Sequence, residues 1–125
     1  MSKSRNSSTR VFKTAWFSKA ARKARIGDAE LRVAIREAMR GQADDLGGGV
    51  FKTRLNDNMH CSIILAKGGR YWVDEYLFAK NDRDNIADDE LAGFRALAKA
   101  YAGTTDRQVE QLLQDKDLME VCNDD

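Results

Sequence analysis

Two cations one residue apart, Lys52 and Arg54, stand in the alternating run Val50-Phe51-Lys52-Thr53-Arg54-Leu55. Successive side chains of a strand point to opposite faces, so this spacing sets both cations on one face and Phe51, Thr53 and Leu55 on the other. A pair of cations so placed suits an anionic group such as a phosphate. Shortly after comes His60, the one histidine of the chain. Imidazole gives and takes protons near neutral pH, the requirement for a general acid or base, although a lone histidine at a strand start also serves as a surface or packed residue. Cys61 beside it is a nucleophile if its thiol ionises and strand filler otherwise. The densest polar cluster is Phe78-Ala79-Lys80-Asn81-Asp82-Arg83-Asp84-Asn85-Ile86. It lies between a strand end and a helix start, where a rigid scaffold aims loop side chains. Read without a ligand, the same cluster is a capping loop in which Arg83 pairs with Asp82 or Asp84. Trp72 and Tyr76 alternate with Asp74 along the strand before it, to stack on an unpaired base or to pack in the core.

Several chemistries are excluded. The chain has no P-loop, GxGxxG, HExxH or GxSxG string, the motifs of nucleotide-binding, zinc-protease and serine-hydrolase sites. Gly47-Gly48-Gly49 is followed by a strand pattern rather than a helix, so it reads as a loop needing positive φ more readily than as a phosphate cradle. Cys61 and Cys122 form neither a disulfide scaffold nor a zinc spacing. No metal or cofactor is expected. The apolar run Ile63 to Ala66 has four residues and none is longer, against roughly 18 needed to span a bilayer. No membrane association is expected, and a polar, basic start without an apolar stretch predicts a cytoplasmic protein without a signal peptide.

The elements that must hold these residues follow from period and punctuation. Residues 1–9 are Ser-rich and basic without apolar period, and predict a disordered basic tail ahead of a single domain over 10–125. At 125 residues, with 42% hydrophobic and 33% charged, the chain holds one modest core. Arg10 to Lys13 predicts a short strand, and Thr14 caps a helix to about Arg25 with Trp16, Phe17, Ala20, Ala21 and Ala24 on one face. Gly27 ends that helix and Asp28 caps a second, which runs to Gly41. Strands are expected over Val50 to Leu55, His60 to Ala66 and Tyr71 to Ala79, the last two joined through Lys67-Gly68-Gly69-Arg70. Asp88 or Asp89, then Thr104 or Thr105, open two final helices. The order β-αα-βββ-αα predicts an α+β fold, an N-terminal helical hairpin packed on a small antiparallel sheet with C-terminal helices. Thirteen Lys and Arg against five acids give +8 up to Arg54, whereas the remainder carries −7. The basic half either meets a polyanion locally or is neutralised by the acidic half in the fold.

Three stretches carry a family resemblance: Thr9-Arg10-Val11-Phe12-Lys13-Thr14, the LGGGVFKTRL of Leu46 to Leu55, and the FAKNDRDNI of Phe78 to Ile86 followed by Asp88-Asp89-Glu90-Leu91. Together they resemble the RelE/HigB-like toxins of bacterial type II toxin–antitoxin systems, in order from about Arg10 to Cys122. The resemblance implies the RelE/ParE-like microbial RNase fold and a ribosome-dependent endoribonuclease, or mRNA interferase, that stops translation. It implies a cognate helix-turn-helix antitoxin as partner in a hetero-oligomeric complex, with mRNA on the ribosome as substrate. Cleavage of this kind uses the RNA 2′-hydroxyl as nucleophile and no metal, leaving protein groups to move protons and neutralise charge at phosphorus. Lys52, Arg54, Lys80 and Arg83 match the family's basic positions and, with His60, form the expected catalytic set. RNA contacts are expected from Lys13, Arg70, Tyr76 and Asn81. One departure stands out: Cys61 occupies the place of an expected Arg, behind an acidic Asn56-Asp57-Asn58 turn. A thiol gives no bidentate, permanently charged phosphate contact. The resemblance therefore also admits a catalytically impaired toxin fold acting through antitoxin binding and operator regulation, or a ParE-like gyrase inhibitor.

Overall fold

A computed structural model describes residues 10–66 and 71–121 of the chain. The basic tail over 1–9, the Lys67 to Arg70 turn and Cys122 lie outside the described residues. The chain runs β1 (Arg10–Thr14), α1 (Ala15–Lys23), α2 (Asp28–Met39), β2 (Asp44–Gly47), β3 (Val50–Leu55), β4 (His60–Ala66), β5 (Tyr71–Ala79), α3 (Asp88–Ala102), α4 (Asp106–Gln114) and β6 (Leu118–Glu120). The fold is α+β, as the sequence predicts.

The sheet is larger than the expected meander and is mixed. Its order is β2-β3-β4-β5-β1-β6, and β1 pairs with β5 in parallel, with Lys13 beside Asp74. The meander β3-β4-β5 is antiparallel throughout. The short strands β2 and β6 close the two edges against β3 and β1. Neither has the length or alternation that marks a strand, and both exist because a longer neighbour offers its backbone.

Each face of the sheet is covered by one helical pair. Phe17, Ala21, Leu31 and Ala34 of α1 and α2 pack with Leu55 and Leu77, while Ile35 and Ala38 meet Ile64. On the opposite face Val50, Cys61, Ile63, Val73 and Phe78 lie beneath Ala98 of α3 and Val109 of α4. The charge polarity of the sequence thereby becomes spatial. Lys19, Arg22, Lys23, Arg32 and Arg36 belong to the hairpin α1–α2, and Asp88, Asp89, Glu90, Asp106 and Glu110 to α3 and α4.

Local signals set most boundaries. Thr14 Oγ1 accepts from Phe17 N at 3.0 Å and caps α1, and Thr105 caps α4 by the same bond to Gln108 N at 3.1 Å. The stop of α1 is not Gly27. Arg25 takes a left-handed φ of 61°, Ile26 N donates to Ala21 O and Arg25 N to Arg22 O, the pair of hydrogen bonds of a Schellman turn. Gly27 instead precedes α2 as its N-cap. Gly47, Gly48 and Gly49 have φ of 87°, 66° and 85°, as expected of a tight loop ahead of a strand. No phosphate cradle forms there, because the Arg95 side chain lies over the loop and donates to the Leu46 and Gly47 carbonyls.

Candidate functional site

The end of β3, the start of β4 and the end of β5 meet at one corner of the sheet. Arg54 is in register with Cys61 and Cys61 with Phe78; Leu55, His60 and Ala79 form the next row. Side chains alternate along each strand, so Arg54 and Cys61 share the α3 face of the sheet, whereas His60 shares the hairpin face with Leu55. Lys80 continues β5 by one residue, and its N–H donates to Met59 O at 3.0 Å, which holds the loop end against the β3–β4 turn. That turn is built from Asn56, Asp57 and Asn58 in succession at left-handed φ, a conformation short polar side chains tolerate best. Glu30 of α2 accepts from Asn56 N and ties the turn to the helical hairpin.

The loop after β5 is organised around Arg83 and Asn85. Arg83 Nε donates to Asn85 O at 2.9 Å, Asn85 Oδ1 accepts from Ile86 N at 2.9 Å, and Lys52 Nζ reaches the same Oδ1 at 3.4 Å. Lys52 of β3 is thereby joined to a loop residue 33 positions away in sequence, a contact made only by the tertiary structure. The guanidinium of Arg83 is further fixed by both carboxylate oxygens of Glu90, by Tyr76 Oη at 3.3 Å and by the Phe78 ring 5.7 Å from its centroid. The expected pairing with Asp82 or Asp84 does not occur. Glu90 Oε1 also accepts from Ala87 N at 2.7 Å, so the ion pair and the start of α3 are one structure. Hydrogen bonds from Arg83 and then from Ala87 N hold the Glu90 carboxyl below its ordinary range, and Glu90 in turn raises Arg83.

Among the described residues, Arg54 and Lys80 have no carboxylate within ion-pair distance, and Lys52 has only the neutral Asn85 amide. Asp44 lies opposite Lys52 on β2, and with Glu37 it faces the recess that Lys52 and Arg54 line. His60 Nδ1 lies 3.1 Å from Asn56 Nδ2. His60 lines a cleft of ≈ 380 Å³ with Trp16, Lys23, Tyr76, Asp82 and Arg83. Lys52 and Arg54 line a second, polar recess of ≈ 230 Å³ with Glu37, Asp44 and Asn58.

Other expected positions fall elsewhere. Lys13 is not at this corner; its Nζ is held by Asp28 Oδ1 at 2.7 Å on the hairpin side of the sheet, where β1 runs beside Asp74. Arg70 lies outside the described residues. Asn81 is exposed in the loop beside Lys80. Cys61 is buried at 1% exposure within the apolar cluster beneath α3. Trp72 and Tyr76 do not share a face. A register shift of β5 against β4 pairs Asp74 with Ile64 and Tyr76 with Ile63, leaving Glu75 as an extra residue. Trp72 consequently packs on Phe51 at 5.4 Å, while Tyr76 meets Phe94 of α3 at 5.8 Å.

Trp16 is the residue that sequence period misplaces. It is expected on the apolar face of α1, yet Phe17 takes the core position and Trp16 is 52% exposed, stacked on Tyr76 with centroids 5.1 Å apart. The aromatic pair Trp16-Phe17 was the available signal, since adjacent helical residues diverge by about 100° and cannot both face one core.

The family model of the RelE toxin of the RelE/RelB toxin–antitoxin system matches residues 9–121. Among curated proteins nothing matches the chain. The match spans the elements from β1 to β6 and includes the corner that carries Lys52, Arg54 and Lys80. The chain therefore belongs to the RelE toxin family, the toxin side of a toxin–antitoxin pair whose partner is an antitoxin.

Proposed function

We propose that this toxin is an endoribonuclease that cuts mRNA on the ribosome and is neutralised by a cognate helix-turn-helix antitoxin. The observation that carries this reading is that Lys52 and Arg54, on one face of β3, and Lys80, at the end of β5, form no ion pair among the described residues. In-line attack by a 2′-hydroxyl places extra negative charge on the phosphoryl oxygens, and fixed cations stabilise that charge without reorganising. Lys52, Arg54 and Lys80 take this task. His60, in the adjoining cleft with Tyr76 and Arg83, is assigned the proton of the attacking or leaving oxygen. Arg83 is assigned a different part from the other cations: with its charge matched by Glu90, it holds the loop that presents Lys80, Asn81 and Asn85. Tyr76 and Asn81 flank the same loop and contact the RNA strand.

Inducible expression of the chain in a bacterial host, with labelled amino acid and thymidine incorporation followed together, tests the reading. Rapid loss of protein synthesis with broken mRNA is the expected result. Loss of DNA synthesis with translation intact would instead identify a gyrase poison. Normal growth would leave antitoxin binding as the function. Co-expression with the adjacent helix-turn-helix gene product is expected to restore growth.

A further inference from the structure

The cleft that holds His60 has an aromatic wall on its α1 side that the cleavage chemistry does not use. Trp16 and Tyr76 stack with an interplanar angle of 19°. Tyr76 is pinned from behind by Phe78 at 6.0 Å and Phe94 at 5.8 Å, and its hydroxyl accepts from Arg83. The indole on top of it remains half-exposed. A tryptophan serving only to pack would have its open surface covered, since burying an aromatic ring is among the largest apolar gains a fold makes. Here the supporting ring is rigid and the outer ring is presented to solvent, as in a preformed stacking platform. Lys23, two helical turns beyond Trp16 on α1, lines the same cleft and forms no ion pair among the described residues, so a cation stands beside the platform where the phosphate of a stacked nucleotide would lie.

We propose that the Trp16–Tyr76 stack is a subsite for an unpaired nucleobase of the RNA strand, adjacent to the cleaved phosphate, with Lys23 on its backbone. The proposal rests on the nuclease reading above and names what that reading leaves open, the element that holds the base beside the cut. Trp16 is a positioning residue: it fixes the strand so that the scissile phosphate lies among Lys52, Arg54 and Lys80.

A reconstituted translation system with a defined mRNA, read for cleavage rate and cut positions, tests this. Base stacking is worth about 1–3 kcal/mol per base, so Trp16→Leu, which stays apolar but cannot stack, is expected to lower kcat/KM by roughly tenfold or more. It is also expected to redistribute the cut positions. Trp16→Phe, which stacks, is expected to remain near the wild-type rate and pattern, and Lys23→Ala to lose rate without changing the pattern. Thermal melting of each variant establishes that it is folded. A Trp16→Leu chain that cuts at the same positions and rate as wild type overturns the subsite and leaves the nuclease standing. A wild-type chain that cuts nothing overturns both.

Discussion

Arg83 and Glu90 form a two-point ion pair across the loop that joins β5 to α3, and the same carboxylate accepts the N–H of Ala87 at the start of the helix. One acid thus sets both the loop and the helix entry.

This arrangement separates positioning from direct phosphate contact. If Arg83 were held back from the phosphate by Glu90, freeing it would raise activity. Because Arg83 organises the loop, Glu90→Gln and Arg83→Lys are both expected to lower mRNA cleavage, by about tenfold, through misplacement of Lys80 and Asn81. Cleavage kinetics of the two variants beside their melting curves check this, and a faster Glu90→Gln chain would contradict it.

Lys52 and Arg54 share one face of β3 and form no ion pair among the described residues. Lys52→Ala and Arg54→Ala are each expected to reduce cleavage about a hundredfold, in the range seen when a single transition-state donor is removed. Neither side chain is buried, so melting temperatures are expected to hold within about 2 °C. Primer extension on mRNA from induced cells gives the first quantity and calorimetry the second.

Cys61 is sealed in the apolar cluster with Ile63 and Phe78. An arginine at this position would force a guanidinium into closed apolar space. Cys61→Arg is expected to destabilise the chain by about 3 kcal/mol or more and not to enhance cleavage. Cys61→Ala, which leaves only a small void, is expected to cost about 1 kcal/mol. Urea titrations of the two variants distinguish these costs.

Asp74 is 1% exposed, and its Oδ2 has no hydrogen-bond partner among the described residues. Burial pushes its carboxyl up to about 8; nearby Lys13 lowers it and Asp28 raises it. In the folded chain it is protonated where the unfolded chain is already ionised, so folding binds a proton between pH 3.8 and about 8. Its contribution to stability is therefore full below pH 3.8 and is lost as pH rises to about 8. Asp74→Asn is expected to flatten that dependence and to be the more stable form at pH 8, by on the order of 1–2 kcal/mol. Melting temperature against pH for both chains checks the sign.

The sequence by itself determined what depends on neighbours along the chain. Alternation over 50–55 places Lys52 and Arg54 on one face, opposite Phe51 and Leu55, and the structure keeps that division. Thr14 and Thr105 cap helices through bonds three residues away, and the left-handed glycines mark the loop before β3. Such signals are short-range and survive any tertiary arrangement. Tertiary structure decided the rest. The parallel pairing of β1 with β5 joins segments some sixty residues apart in sequence, Arg10 with Tyr71, and carries no local mark. One extra residue at Glu75 turned Tyr76 from the face of Trp72 to that of Phe94, because the side-chain period of a strand is two. Arg83 chose Glu90 over Asp82 and Asp84 because the first turn of α3 brings that carboxylate, already bonded to Ala87 N, to the guanidinium. Lys13 was drawn to Asp28, and Trp16 was turned outward because Phe17 filled the core. Each outcome was a competition among distant groups for one place, and such a competition is settled only when the elements pack.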